Sequence, residues 1–215
     1  MSHTFKEIPI DQWDRKSHHE FFIKNFHFPH VSITANVNIT SLLKTCNKKD
    51  LSIFHSTVYL ISKALNGIPQ FRQRIRKESL IEWARVGVSY TVLTQDEKFY
   101  FCYVDYNEDF SLFYKQSVEK SERIKRGELL DLNPTQEDNV LYMSCIPWVS
   151  FTGMSNAQHS NLYDSVPRIA WGKFFNDHHS TLMPFNIQAH HSVVDGLHIG
   201  RAFEAFQEQL NNFKP

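Results

Sequence analysis

The clearest alternation in the chain runs from Val31 to Ile39. There Val31, Ile33, Ala35, Val37 and Ile39 share one face, the pattern of a half-buried strand. Phe5 to Ile10 predicts a shorter strand, with Pro9 at an edge or a strand end. Asp11 to Asn25 predicts a helix with an aromatic face of Trp13, Phe21 and Phe22. Thr40 stands where it would cap a short helix carrying Leu42 and Leu43. Phe54 to Asn66 predicts a stronger helix on Val58, Ile61, Ala64 and Leu65, stopped by Gly67 and Pro69.

Further along, Leu80 to Trp83 predicts a strand. Val86 to Leu93 and Phe99 to Val104 predict a hairpin across the polar turn from Thr94 to Lys98. Asp109 to Arg126 predicts an amphipathic helix closed by Gly127, with Phe110, Phe113, Val118 and Ile124 as its apolar positions. Leu129 to Asp138 reads as a loop, and Val140 to Phe151 as an apolar strand interrupted by Pro147. Gly153 to Val166 reads as a polar loop. Arg168 to Phe175 and Thr181 to Ala189 predict a second hairpin turning at Asn176 to His179. A final helix from about Gly196 to Asn211 carries Leu197, Phe203, Phe206 and Leu210. The chain holds no repeat, low-complexity segment or linker. The expected class is α+β, a mixed β-sheet with helices packed on one side, in a single domain over residues 1–215.

Composition narrows the function classes. At 215 residues, 41% hydrophobic and with 18 Phe, the chain has enough apolar side chains for a core. Its 23 Lys and Arg balance 23 Asp and Glu, so there is no basic field to meet nucleic acid or a membrane surface. No apolar run is long enough to span a bilayer, and no signal pattern precedes the first strand. Cys46, Cys102 and Cys145 lack a C-x-x-C spacing and read as reduced thiols. The expectation is a soluble, cytoplasmic protein.

The candidate chemistry lies in Gln188-Ala189-His190-His191-Ser192-Val193-Val194-Asp195-Gly196-Leu197-His198. This places His-x-x-x-Asp-Gly where a strand turns into a helix. A histidine acting as general base needs a defined tautomer, a fixed ring and a neutral state near pH 7. Asp195, four residues on, could orient the site directly or through a cation brought from elsewhere. In the plainer alternative, Asp195 only caps the helix.

The wider string, Gln-x-His-His-Ser-x-x-Asp-Gly-x-His before a C-terminal helix, resembles the signature of the chloramphenicol acetyltransferases. Ser144-Cys145-Ile146-Pro147-Trp148 resembles the family's Ser-x-x-Pro-Trp segment, and Trp13-Asp14-Arg15 its Trp-x-Arg segment. Order, spacing and length agree over essentially the whole chain. The resemblance implies an acetyl-CoA-dependent O-acetyltransferase of the same fold, needing no metal. His191 would be the general base, Ser144 the oxyanion donor, and Asp195 would pair with Arg15. Trp148 and Phe174 would lie by the coenzyme. Phe21, Phe22, Phe99, Met154, Asn156 and Gln158 would line the acceptor pocket. The implied assembly is a homotrimer with active sites at subunit interfaces. The implied acceptor is chloramphenicol, hence antibiotic resistance.

Several residues depart from the family pattern. Asn156 and Gln158 are polar where apolar groups are expected, Ala170 replaces a hydroxyl residue, and Phe174 replaces a tyrosine. A related enzyme acting on a more polar hydroxylated acceptor is one alternative, and a catalytically silent small-molecule binder is another. Dihydrolipoamide acyltransferases and condensation domains share the His-x-x-x-Asp-Gly motif. The former add lipoyl domains and linkers, and the larger relatives carry two copies. A metal site is a further alternative, prompted by 12 His, but no Cys/His spacing gives three converging ligands.

Overall fold

The computed structural model describes residues 4–77, 79–128, 138–158 and 160–215. Its first strand, β1 (Phe5–Pro9), pairs antiparallel with β4 (Ser79–Trp83), which pairs with β3 (Gln73–Arg76). This three-stranded sheet has β1 at its edge, the position Pro9 tolerates. Strand β3 escapes the sequence pattern because Gln73-Arg74-Ile75-Arg76 has one apolar residue. Arg74 is buried all the same. Its guanidinium donates to the carbonyls of Phe71, Gln73, Asp138 and Val140, which satisfies the group without water. Burial pulls its pKa down to about 10, so it stays charged at neutral pH.

The larger sheet has seven strands. Its order is β2 (His30–Asn38), β10 (Ser180–His190), β8 (Arg168–Gly172), β7 (Val140–Ile146), β5 (Gly87–Leu93) and β6 (Phe99–Val104), with β9 (Phe175–Asp177) also on β10. β7 runs parallel to β5 and β8, and the other pairs are antiparallel. The expected β5–β6 hairpin is present. The first arm of the second, expected over residues 168–175, is split into β8 and β9, both antiparallel to β10, and the chain turns at His178-His179, so that Asn176 and Asp177 are strand and not turn.

Six helices complete the described chain: α1 (Lys16–Asn25), α2 (Thr40–Lys49), α3 (Ile53–Asn66), α4 (Pro69–Arg72), α5 (Phe110–Lys125) and α6 (Gly196–Asn212). Val37, Met183, Phe185, Ile187, Ile169, Trp171, Met143, Val88 and Tyr90 lie in register on one sheet face and are buried with residues of α2, α3, α5 and α6. Residues of both sheets belong to this one apolar cluster. Among the described residues, no helix is long and apolar enough to cross a membrane.

Local details differ from the sequence pattern. Helix α1 begins at Lys16, not Asp11, because a single 3-10 turn (Ile10–Gln12) precedes it and Trp13 is extended. Trp13 is thereby freed to enter the core. Thr40 opens α2 but does not cap it; Asn38 Oδ1 accepts the Thr40 N–H, and Thr40 Oγ1 accepts from Thr181 N–H. Pro69 starts a short helix instead of only stopping one. On β2, Ala35 and Ile33 are exposed, since this edge strand outruns the helices that cover the sheet. Residues 129–137, expected as loop, lie outside the described residues.

The second sheet face is polar. Asn186, Gln188 and His190 alternate along β10 on this side, and Arg168, Tyr142 and Ser144 continue it on β8 and β7. The loop after β7 crosses it. Asn186 Nδ2 donates to Met154 O, Asn156 N donates to Gln188 Oε1, and His190 Nε2 bonds Leu162 O. A polar loop therefore lies on a polar face, with side chains at every second β10 position holding it.

Candidate active site

Strand β10 ends at His190, and α6 starts at Gly196. The five residues between form a tight turn. Val193 N and Val194 N donate to His190 O, and His191 N donates to Pro29 O at 2.7 Å. Asp195 caps α6: its Oδ1 accepts from Leu197 N, and Asp195 N donates to His198 Nδ1 at 3.2 Å. The same His198 Nδ1 lies 3.0 Å from Asp195 Oδ1, and burial lowers the ring's pKa.

Arg15, at the N-cap of α1, reaches this turn from 180 residues away. Its Nη1 donates to Asp195 Oδ2 at 3.0 Å, its Nε to Ser192 O at 2.9 Å, and its Nη2 to His191 O at 3.4 Å. One planar guanidinium thus fixes three points of a five-residue turn. Burial raises the Asp195 carboxyl, but His198 and Arg15 outweigh it and hold the pKa below the ordinary value. Asp195 is both a helix cap and an ion-pair partner; the two sequence readings describe two oxygens of one side chain.

His191 is half-buried, and its ring stacks on Phe22 of α1, centroids 4.4 Å apart and planes 18° from parallel. Phe21 and Phe26 pack edge-on and tilted against Phe22. The His191 Nδ1 is enclosed without a hydrogen-bond partner, which leaves Nε2 as the nitrogen that can meet a ligand. A fixed ring with one accessible nitrogen can accept a proton from a hydroxyl placed against it.

Ser144 lies elsewhere on the same sheet face. With Tyr142, Phe99, Phe101, Asn156 and Gln158 it lines a cavity of about 350 Å³. Asn156 and Gln158 therefore do face the space that Ser144 faces, and the Gln158 Oε1 is buried there without a partner. Asn156 is held from behind by Gln188. Met154 does not line the cavity; it contributes its carbonyl to Ser32 and Asn186. Ala170 stands beside Ser144 on the neighbouring strand.

Ser144 and His191 are not together in this chain. Ser144 shares a row with Asn186, two strands away, and His191 follows Asn186 by five residues. Strand geometry puts them roughly 15–20 Å apart. Phe21 and Phe22 stay with His191, whereas Phe99, Asn156 and Gln158 stay with Ser144. Trp148, past the end of β7, is exposed at 66%, while Phe174 is half-buried against the core. Gly172 allows the Trp148 segment to cross close to β8: a Cβ there would meet Val149 O at 2.6 Å, and Lys173 N donates to that same oxygen.

Sequence reasoning missed Gln188, His190, His30 and Arg168 as site-building residues. The alternation Asn186-x-Gln188-x-His190 in an otherwise apolar strand was the available signal. Among the described residues, no group of three His, Cys, Asp or Glu side chains is arranged to hold a metal ion.

A family model described as chloramphenicol acetyltransferase matches residues 3–207. A chloramphenicol acetyltransferase of Clostridium perfringens is 32% identical over 214 residues, covering 98% of this chain and 96% of that protein. One of Escherichia coli is 30% identical over 217 residues, covering 98% and 95%. Among solved structures, a chloramphenicol acetyltransferase superposes with a TM-score of 0.82 at 22% identity, covering 96% of this chain and all of that one. A probable dihydrolipoamide acetyltransferase from Listeria monocytogenes gives 0.67 at 17%, a likeness of fold alone. The turn stapled by Arg15 and Asp195 is thus set in a fold and a sequence that match one family from end to end, and the chain belongs to the chloramphenicol acetyltransferase family.

Proposed function

We propose that the protein transfers the acetyl group of acetyl-CoA to a hydroxyl of chloramphenicol, as a single acyltransferase domain over residues 1–215. His191 Nε2 takes the hydroxyl proton as that oxygen attacks the thioester carbon. Ser144 donates a hydrogen bond to the oxygen that becomes negative, a role in which one donor is worth about 3–4 kcal/mol. The carbon–sulfur bond then breaks, and the proton held by His191 goes to the departing thiolate. Arg15 and Asp195 hold the turn and take no proton. Trp148 and Phe174 flank the coenzyme, and Phe21, Phe22 and Phe99 contact the acceptor.

The observation that carries this reading is the His191 turn itself, in a chain of this family: one accessible ring nitrogen, a stacked ring, and a backbone tied by Arg15. The separation of His191 from Ser144 supports a site shared by two chains. A cyclic homotrimer with three such interfaces is the assembly we propose, in the cytoplasm, where the product would lack antibiotic action. A second reading, a more polar hydroxylated acceptor for the same chemistry, rests on Asn156, Gln158 and Arg168 in the cavity.

The test is coenzyme A thiol release with chloramphenicol beside a panel of other hydroxylated acceptors. Release with chloramphenicol is expected. Release only with more polar acceptors would favour the second reading, and none with any acceptor would sink both.

A further inference from the structure

The transfer reaction leaves His190 without a role, yet it is among the most buried polar residues of the chain. Its two ring nitrogens are both engaged. Nδ1 accepts the Ser192 N–H at 3.2 Å, two residues ahead. Nε2 lies 3.1 Å from Leu162 O. A carbonyl only accepts, so Nε2 carries the hydrogen and Nδ1 is bare. One tautomer satisfies both bonds, and a protonated ring would set one N–H against another.

His30 stands opposite His190 in the β2–β10 register, with ring centroids 5.2 Å apart in an edge-on arrangement. Its Nε2 lies 2.9 Å from Asp164 O. The two rings thus hold neighbouring carbonyls of one loop. Asp164 is itself ion-paired to Arg168 of β8. That same loop, earlier in its course, brings Asn156 and Gln158 into the cavity with Ser144.

We infer that His190, seconded by His30, is a positioning residue for acetyl transfer: its neutral ring ties the turn that carries His191 to the loop that carries the acceptor-pocket residues. The bond to Ser192 N–H is the histidine counterpart of the turn that Asn and Asp side chains make with the N–H two residues on. It sets the path of the backbone on which His191 is mounted. The bond to Leu162 O sets the loop. The charged and titratable groups around the ring are His30 of β2, His19 of α1 and Asp164 of the loop, and Arg168 of β8 acts on His30. Burial first, and then His30, hold His190 down to about 3, so it is neutral across the physiological range. The inference rests on the acetyl-transfer reading for its kinetic consequences but not for the clamp itself.

Each bond can be kept singly. His190→Asn places an acceptor for Ser192 N–H but cannot reach Leu162. His190→Gln extends a donor toward Leu162 but loses the turn bond. His190→Gln is expected to lower kcat, roughly 10- to 100-fold, because displacement of His191 by about 1 Å suffices for that loss. His190→Asn is expected to keep kcat within about threefold and to raise the acceptor KM severalfold through the loop, as is His30→Gln. The acetyl-CoA KM should not move in any of the three. Amide hydrogen exchange reads the clamp without turnover: Ser192 protection is lost in His190→Gln and retained in His190→Asn. If the two His190 variants change kcat and acceptor KM alike, or leave Ser192 protection alike, the positioning role is wrong. If the exchange pattern holds while the wild type acetylates no acceptor, the clamp stands and the acetyl-transfer reading fails instead.

Discussion

Arg15 Nη1 and Asp195 Oδ2 lie 3.0 Å apart, although 180 residues of chain separate them. The contact joins the start of α1 to the start of α6. It thereby joins Phe22, which stacks on His191, to the turn from which His191 projects. The ring and the backbone of the proposed base are positioned from the same helix.

Because Asp195 uses one oxygen for Arg15 and the other for the α6 cap, two substitutions separate the effects. Asp195→Asn keeps a competent cap and weakens the Arg15 contact, for an expected loss of about 1 kcal/mol; the pair is part-exposed, so the Coulomb term is small. Asp195→Ala loses the cap too, adding about 1 kcal/mol. Urea unfolding of both variants checks the order. Equal stability of the two would mean that the cap contributes nothing.

His191→Ala is expected to lower kcat by about a thousandfold or more, within the range that a positioned general base supplies. Its melting temperature should stay close to wild type, since His191 is half-buried and lends its side chain to no hydrogen bond among the described residues. Activity within tenfold of wild type would remove His191 as the base.

Ser144→Ala is expected to lower kcat about 10²–10³-fold with little change in the acetyl-CoA KM. Since Ser144 and His191 lie far apart in one chain, subunits of Ser144→Ala and His191→Ala refolded together should regain activity. Random assembly of a ring leaves about a quarter of the interfaces with both residues intact. Mixtures no more active than their components would place both residues in one chain's site.

Acid should destabilise the protein early. Burial, then nearby Lys125, lowers His55 to about 4, and His190 falls to about 3. His19, His30 and His198 shift the same way. The unfolded chain protonates these rings near pH 6.5, before the folded one does. Stability is therefore full above about pH 6.5 and is lost as the pH falls toward 4, at on the order of 2–3 kcal/mol per pH unit for His55 and His190 together. Denaturant unfolding at pH 7, 6 and 5 measures the slope. A flat profile over that range would show that these rings are not held neutral.

Local pattern decided much in advance. Alternation located β2, β5 and β6, and 3.6-residue periodicity located α3, α5 and α6, because each of these segments carries its own apolar face. Gln-x-His-His-Ser-x-x-Asp-Gly-x-His marked the turn, since a strand end, a cap and a helix are local events. What sequence could not determine was which distant groups share a surface. Arg74 is a charged residue with no apolar neighbour pattern to mark it, and it is buried because four backbone carbonyls converge on it. His190, which the motif marks only as the neighbour of His191, holds two segments, and the loop carbonyl it reaches is 28 residues upstream. Ser144 and His191 matched one motif set and stand on separate parts of the sheet, because strand order, not chain order, sets their distance. Periodicity is written residue by residue; the pairing of polar groups across a sheet exists only once the chain has folded.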